Sequence, residues 1–177
     1  MVIMGVVVVV TGPPGAGKSA TADSLANLLD PSALVSGDAF FGFLRNGAIP
    51  PWLEEARAQN ESVIQAAAAA VGRLAEHRDV VYDGVLGPWF LGMFLRAVGV
   101  THLHYAMLLP PLEVCLERVR SRRGHGFTDH RAAEHMWWEM KRAEVAPRHV
   151  VTEYEQPCAE VAALIAQSLE EGRFAYP

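Results

Sequence analysis

The sequence predicts an α/β protein built on a parallel sheet, and three observations carry that prediction. The stretch from Val2 to Val10 is nearly all β-branched, the pattern of a strand buried on both faces. Gly12-Pro13-Pro14-Gly15-Ala16-Gly17-Lys18-Ser19 follows it directly and opens a helix-forming segment. Strand-like and helix-like segments then alternate along the 177 residues, as parallel βαβ units with right-handed crossovers require.

In order, Lys18 to Leu29 repeats Ala22, Leu25, Leu28 and Leu29 at helical spacing until Asp30-Pro31 stops it. Ala33 to Asp38 reads as a second strand ending in a turn, with a helical turn over Ala39 to Arg45. Pro50-Pro51 opens a long segment of one or two helices, in which the alanines 66–70 continue through Leu74 to about His77. Val80 to Gly84 is a third strand and Trp89 to Val98 a helix; His102 to Leu109 is a fourth strand, after which Pro110-Pro111 starts a helix running to about Arg123. Gly124-His125-Gly126 breaks the chain, and Thr128 or Asp129 caps an amphipathic helix whose Met136, Trp137, Met140 and Val145 share a side. His149 to Thr152 is a short fifth strand and Cys158 to Leu169 a terminal helix.

The eight residues from Gly12 to Ser19 satisfy the phosphate-loop (Walker A) spacing G-x-x-x-x-G-K-[ST]. The spacing has a chemical reason: glycines let consecutive backbone N–H groups turn around a polyphosphate, and the next helix, from Lys18 through Ala20, presents the positive end of its dipole. Lys18 reaches the β- and γ-phosphates, and Ser19 supplies a hydroxyl to Mg²⁺. Asp38 and Asp83 close the second and third strands, and in an open parallel sheet ligands lie at that carboxyl edge. Asp38 there can accept a proton from an attacking hydroxyl, or serve as the N-cap of the turn beginning at Ala39. Phe40, Phe41, Phe43 and Trp52 follow the first carboxylate, while Trp89 and Phe90 follow the second, so part of this set lines an apolar pocket. His125, His130 and His135 are five apart, a spacing that spreads them around a helix instead of forming a metal site.

Composition narrows the partners. About half the residues are apolar, enough for one core, so residues 1–177 are expected to form a single domain. A net charge of −5 without a long basic run argues against a nucleic-acid partner, and no segment reads as a membrane span. Met1 runs into Val2-Ile3 without a basic region or cleavage site, and Cys115 and Cys158 stand far apart, so a cytoplasmic location is expected. The lysines are Lys18 and Lys141 alone, which leaves no guanine-specific Asn-Lys-x-Asp.

With its phosphate loop, Asp38, Asp83 and the arginines from Arg118 to Arg123, the chain resembles the P-loop small-molecule and nucleoside-monophosphate kinases, among them shikimate kinase, gluconate kinase and chloramphenicol phosphotransferase. The resemblance implies a three-layer P-loop NTPase fold, a five-stranded parallel sheet in order 2-3-1-4-5, an arginine-bearing lid at about 121–132, and γ-phosphoryl transfer from ATP, with Mg²⁺, to a hydroxyl of a small molecule such as an antibiotic. It implies that Asp38 contacts that hydroxyl, that Asp83 holds Mg²⁺ or approaches the acceptor, and that Arg118, with Arg122 one helical turn on, meets adenine or the transferring phosphate. Arg57 is expected to pair with an acidic group on the acceptor, and Phe41, Trp52 and Trp89 to contact it. Val85-Leu86-Gly87-Pro88 stands where shikimate kinase has a glycine triplet, so shikimate itself is not the expected acceptor. A nucleoside or nucleotide kinase and a regulatory ATPase that transfers nothing stand as alternatives; the oligomeric state is not legible.

Overall fold

The computed structural model describes residues 5–121 and 128–177. Strand β1 (Val7–Thr11) lies between β3 (Asp79–Asp83) and β4 (Leu103–Leu108), with β2 (Ser32–Ser36) outside β3 and β5 (Val150–Val151) outside β4. All four pairings are parallel, giving the order β2-β3-β1-β4-β5 that the kinase resemblance implies. Central placement explains the valine run, because a strand with neighbours on both edges and helices on both faces has no wet side: Val8, Val9 and Val10 are fully buried, each stabilising by roughly 1.5–3 kcal/mol.

Helix α1 (Lys18–Leu28) packs on α7 (Cys158–Glu170), and α3 (Arg57–Ala75) on α4 (Pro88–Val98), so the sheet lies between two helical layers. The region after Pro50-Pro51 resolves into one 3₁₀ turn, Glu54–Ala56, leading into α3, which buries Val63, Ile64, Ala67, Ala68, Val71 and Ala75 at helical spacing. The short α2 (Gly37–Phe41) follows β2, and α5 (Leu112–Ser121) follows β4. Asp129, one of the two expected caps, accepts from the backbone N–H groups of Arg131 and Ala132 to start α6 (His130–Arg142). Trp137 and Met140 are buried as that helix's pattern requires, whereas Val145 lies beyond its end. The glycine break at 124–126, Arg122, His125 and the first half of the expected lid, apart from Ser121, fall outside the described residues.

One strand has no counterpart in the sequence reading. β6 (Ala175–Tyr176) pairs antiparallel with β4, placing Tyr176 opposite Leu103. Two residues leave no period to detect; the pairing exists because α7 returns the chain alongside β4. Among the described residues no helix is long and apolar enough to cross a membrane.

Candidate functional site

The parallel register brings three turns to one edge. Val10 and Ser36 both stand opposite Asp83, and Thr11 stands opposite Met107, so the segments leaving β1, β2 and β3 start side by side. Gly12, Pro13, Pro14, Gly15 and Ala16 are buried, while Gly17 and Lys18 are half-buried and Ser19 and Ala20 exposed on the first turn of α1. Gly15 and Gly17 adopt φ of 82° and 94°, the left-handed region that a side chain would oppose. Gly15 is also tightly covered: a Cβ there would run into the Cys115 carbonyl oxygen, with the Cys115 Cα 2.9 Å away. Helix α5 therefore lies directly against the loop.

Lys18 folds back over the loop and donates from Nζ to the Pro13 carbonyl at 3.1 Å. Among the described residues no side chain caps α1, so its first N–H groups keep the partial positive charge that attracts an anion. Arg118 donates to the carbonyl of Gly15 at 3.3 Å and to that of Tyr154 at 3.0 Å, tying the loop to the segment after β5. Cys115 beneath it is raised to about 11 by burial, against the pull of Arg118 and Lys18, and stays a neutral thiol. The left-handed glycines, the uncapped helix and two cations fit a polyphosphate with its metal ion; Ser19 and Asp83 are the residues that could hold the ion.

The acidic turns differ in exposure. Asp83 is 9% exposed at the end of β3, whereas Asp38 is exposed. The cap reading of Asp38 is corrected: α2 begins at Gly37, two residues earlier than Ala39, and the Ser36 hydroxyl accepts from the Ala39 N–H at 3.4 Å. Ser36 is the N-cap, and Asp38 sits inside the first turn with its carboxylate released from that task.

Several residues of this edge carry no sequence signal. Tyr82, 1% exposed, lies beneath both acidic turns; burial first, then the charges of Asp38 and Asp83, push its phenol far above the ordinary tyrosine range, so it remains protonated. Thr11 donates to the Leu86 carbonyl at 3.1 Å and accepts from the Leu86 N–H at 2.8 Å, and Tyr105 donates to the same carbonyl at 2.8 Å. Those bonds anchor the chain three residues beyond Asp83. Only Thr11 was open to notice, as the lone hydroxyl closing the valine strand.

The proposed acceptor-contacting side chains are less closely gathered. Phe41 and Trp52 are half-buried, and Trp89 is 50% exposed with its ring over Gly87. Arg57 begins α3 and donates from Nε to Glu61 at 3.1 Å, an exposed pair whose partners exchange readily.

Comparison with known proteins agrees with this layout. Residues 7–147 match the family model described as AAA domain, and the chain belongs to that family. Among solved structures, the tunicamycin resistance protein of Deinococcus radiodurans is similar, with TM-score 0.66 and 21% identity over 98% of this chain and 99% of the other. A sugar kinase from Janibacter sp. HTCC2649 superposes with TM-score 0.69 at 18% identity, covering 94% and 95%. A gluconokinase from Sinorhizobium meliloti 1021 gives 0.61 at 23%, covering 97% and 98%. At such identities the likeness establishes the fold alone, that of a P-loop NTPase. No curated protein matches the chain in sequence.

Proposed function

We propose that the chain is an ATP-dependent phosphotransferase that moves the γ-phosphoryl group to a hydroxyl of a small molecule, with residues 1–177 acting as one kinase domain in the cytoplasm. The observation that supports this most is the meeting of the phosphate loop, Asp38 and Asp83 at one sheet edge, because phosphoryl transfer needs an anion cradle and a proton acceptor within reach of each other. The loop from Gly12 to Ala20 holds the phosphates, with Lys18 on the transferring end. Asp38 takes the proton from the acceptor hydroxyl as its oxygen bonds to phosphorus and the bond to the ADP oxygen breaks. Arg118, already against the loop, and Arg122 stabilise the charge that spreads over the phosphoryl oxygens. Mg²⁺, held through Ser19 and Asp83, supplies neutralisation of the phosphate charge when bound.

For the acceptor, Phe41, Trp52 and Trp89 favour a molecule with an apolar body, and Arg57 is available to an acidic substituent because its present partner is an exposed glutamate. Hydroxylated antibiotics are therefore the first acceptors to try, a choice also supported by the likeness to the tunicamycin resistance protein. The test is incubation with Mg·ATP and panels of antibiotics, sugars and nucleosides, with mass spectrometry for a product heavier by one phosphate, for the wild type and Asp38→Asn. The variant should slow transfer by about 10²-fold with nucleotide affinity preserved. A product confined to nucleosides or nucleotides would make it a nucleotide kinase, and ATP hydrolysis without any phosphorylated product a regulatory ATPase.

A further inference from the structure

We propose that Tyr82 is the positioning residue of the acceptor end: its hydroxyl, wedged against Gly37 and Gly84, sets the spacing between the turns that carry Asp38 and Asp83. The inference rests on the kinase reading for its functional half and on geometry alone for its structural half.

Each turn meets the same oxygen. A Cβ on Gly37 would collide with the Tyr82 hydroxyl and come within 2.9 Å of Cζ, and a Cβ on Gly84 would stand 2.8 Å from that hydroxyl and 3.0 Å from Cζ and Cε1. Neither glycine has a positive φ, so sterics at the ring, rather than backbone conformation, forbid a side chain there. Asp38 follows the first glycine and Asp83 precedes the second. The phenol oxygen is thus a spacer between two backbones whose neighbouring carboxylates must be placed relative to one acceptor and one phosphate.

The spacer cannot yield. Tyr82 belongs to β3, where Val9 and Val35 are its partners on either side, and its ring packs on Phe94 with centroids 4.8 Å apart. A buried ring between two paired strands has no alternative rotamer without opening the core. The Gly37 site is closed from a second direction as well, since its Cβ would come 3.3 Å from the Asp83 carbonyl oxygen. Moving either turn therefore moves the other, which is how one fixed oxygen holds both acids at a productive separation.

Two measurements test this. The first needs no activity: the melting temperatures of Gly37→Ala, Tyr82→Phe and the double variant. Gly37→Ala alone should lose about 5 °C or more, and adding Tyr82→Phe, which deletes only the colliding oxygen, should recover part of it. Simple addition of the two losses would overturn the wedge. The second uses an acceptor found with the wild type. Tyr82→Phe should lower kcat/KM for the acceptor by about tenfold while KM for ATP stays within about twofold, because only the acceptor end is displaced. Equal losses toward both substrates, or no loss toward either, would overturn the positioning role even if the melting temperatures show coupling. If the wild type phosphorylates nothing, the kinase reading fails, and the melting series still decides the wedge.

Discussion

Replacing Thr11 by valine is a nearly isosteric change with a calculable effect. Thr11 is fully buried, and its hydroxyl both donates to the Leu86 carbonyl and accepts from the Leu86 N–H. Valine removes both bonds, but the two ends of Leu86 suffer unequally. The carbonyl keeps its bond from Tyr105, whereas the N–H is left without that acceptor in a dry site. An orphaned buried donor costs about 1–3 kcal/mol and the lost bond to the carbonyl about 1 more, so a destabilisation of about 2–4 kcal/mol is expected. For a chain of this size that corresponds to a melting temperature lower by about 4–16 °C. Urea unfolding of Thr11→Val at neutral pH should show a lower midpoint with an unchanged slope. Tyr105→Phe supplies the internal scale, because it removes one of two donors to the carbonyl and orphans nothing at Leu86; it should cost about 1 kcal/mol. A Thr11→Val loss below about 0.5 kcal/mol, or one no larger than that of Tyr105→Phe, would refute the idea that this pair of bonds holds the chain beyond Asp83.

Three further outcomes follow from the same structure. Lys18→Ala should abolish phosphoryl transfer with little change in melting temperature, since Lys18 is only half-buried; activity within a few-fold of wild type would remove the phosphate loop from the mechanism. Gly15→Ala should weaken nucleotide binding by at least about tenfold, measured by calorimetry, because the new methyl meets both a left-handed φ and the Cys115 carbonyl. Acid should destabilise the fold through His149, whose imidazole is held below the ordinary range chiefly by burial, with Arg148 adding to the effect and the bond to the Tyr105 carbonyl opposing it. Arg148 donates to His149 Nε2, so Nδ1 carries the proton it gives to Tyr105. A lowered folded pKa means that the unfolded chain binds the proton first; this contribution is complete above about pH 6.5 and is lost as pH falls through the folded value. Urea midpoints at pH 7.5 and 5.5 should therefore differ more for wild type than for His149→Gln, and equal differences would exclude His149 as the source.

The sequence by itself determined the features written in consecutive residues. Gly12 to Ser19 is recognisable because the cradle is made by contiguous backbone, and β1 because a strand enclosed on every side is apolar at every position. The strand order was reached only through the kinase resemblance, since alternation predicts parallel units without saying which strands become neighbours. Tertiary structure decided the rest, and the reason is distance along the chain. Arg118 meets Gly15 across 103 residues and Tyr154 across 36, and Thr11 meets Leu86 across 75; no local pattern encodes these partners, which exist because packing sets the strand ends side by side. The start of α2 makes the same point on a smaller scale. Ser36 and Asp38 are both capping residues two positions apart, so local preference leaves the choice between them open. In the folded protein the helix begins at Gly37, the residue without a side chain, where Tyr82 comes up from the neighbouring strand. Ser36 then caps, and Asp38 falls, exposed, inside the first turn.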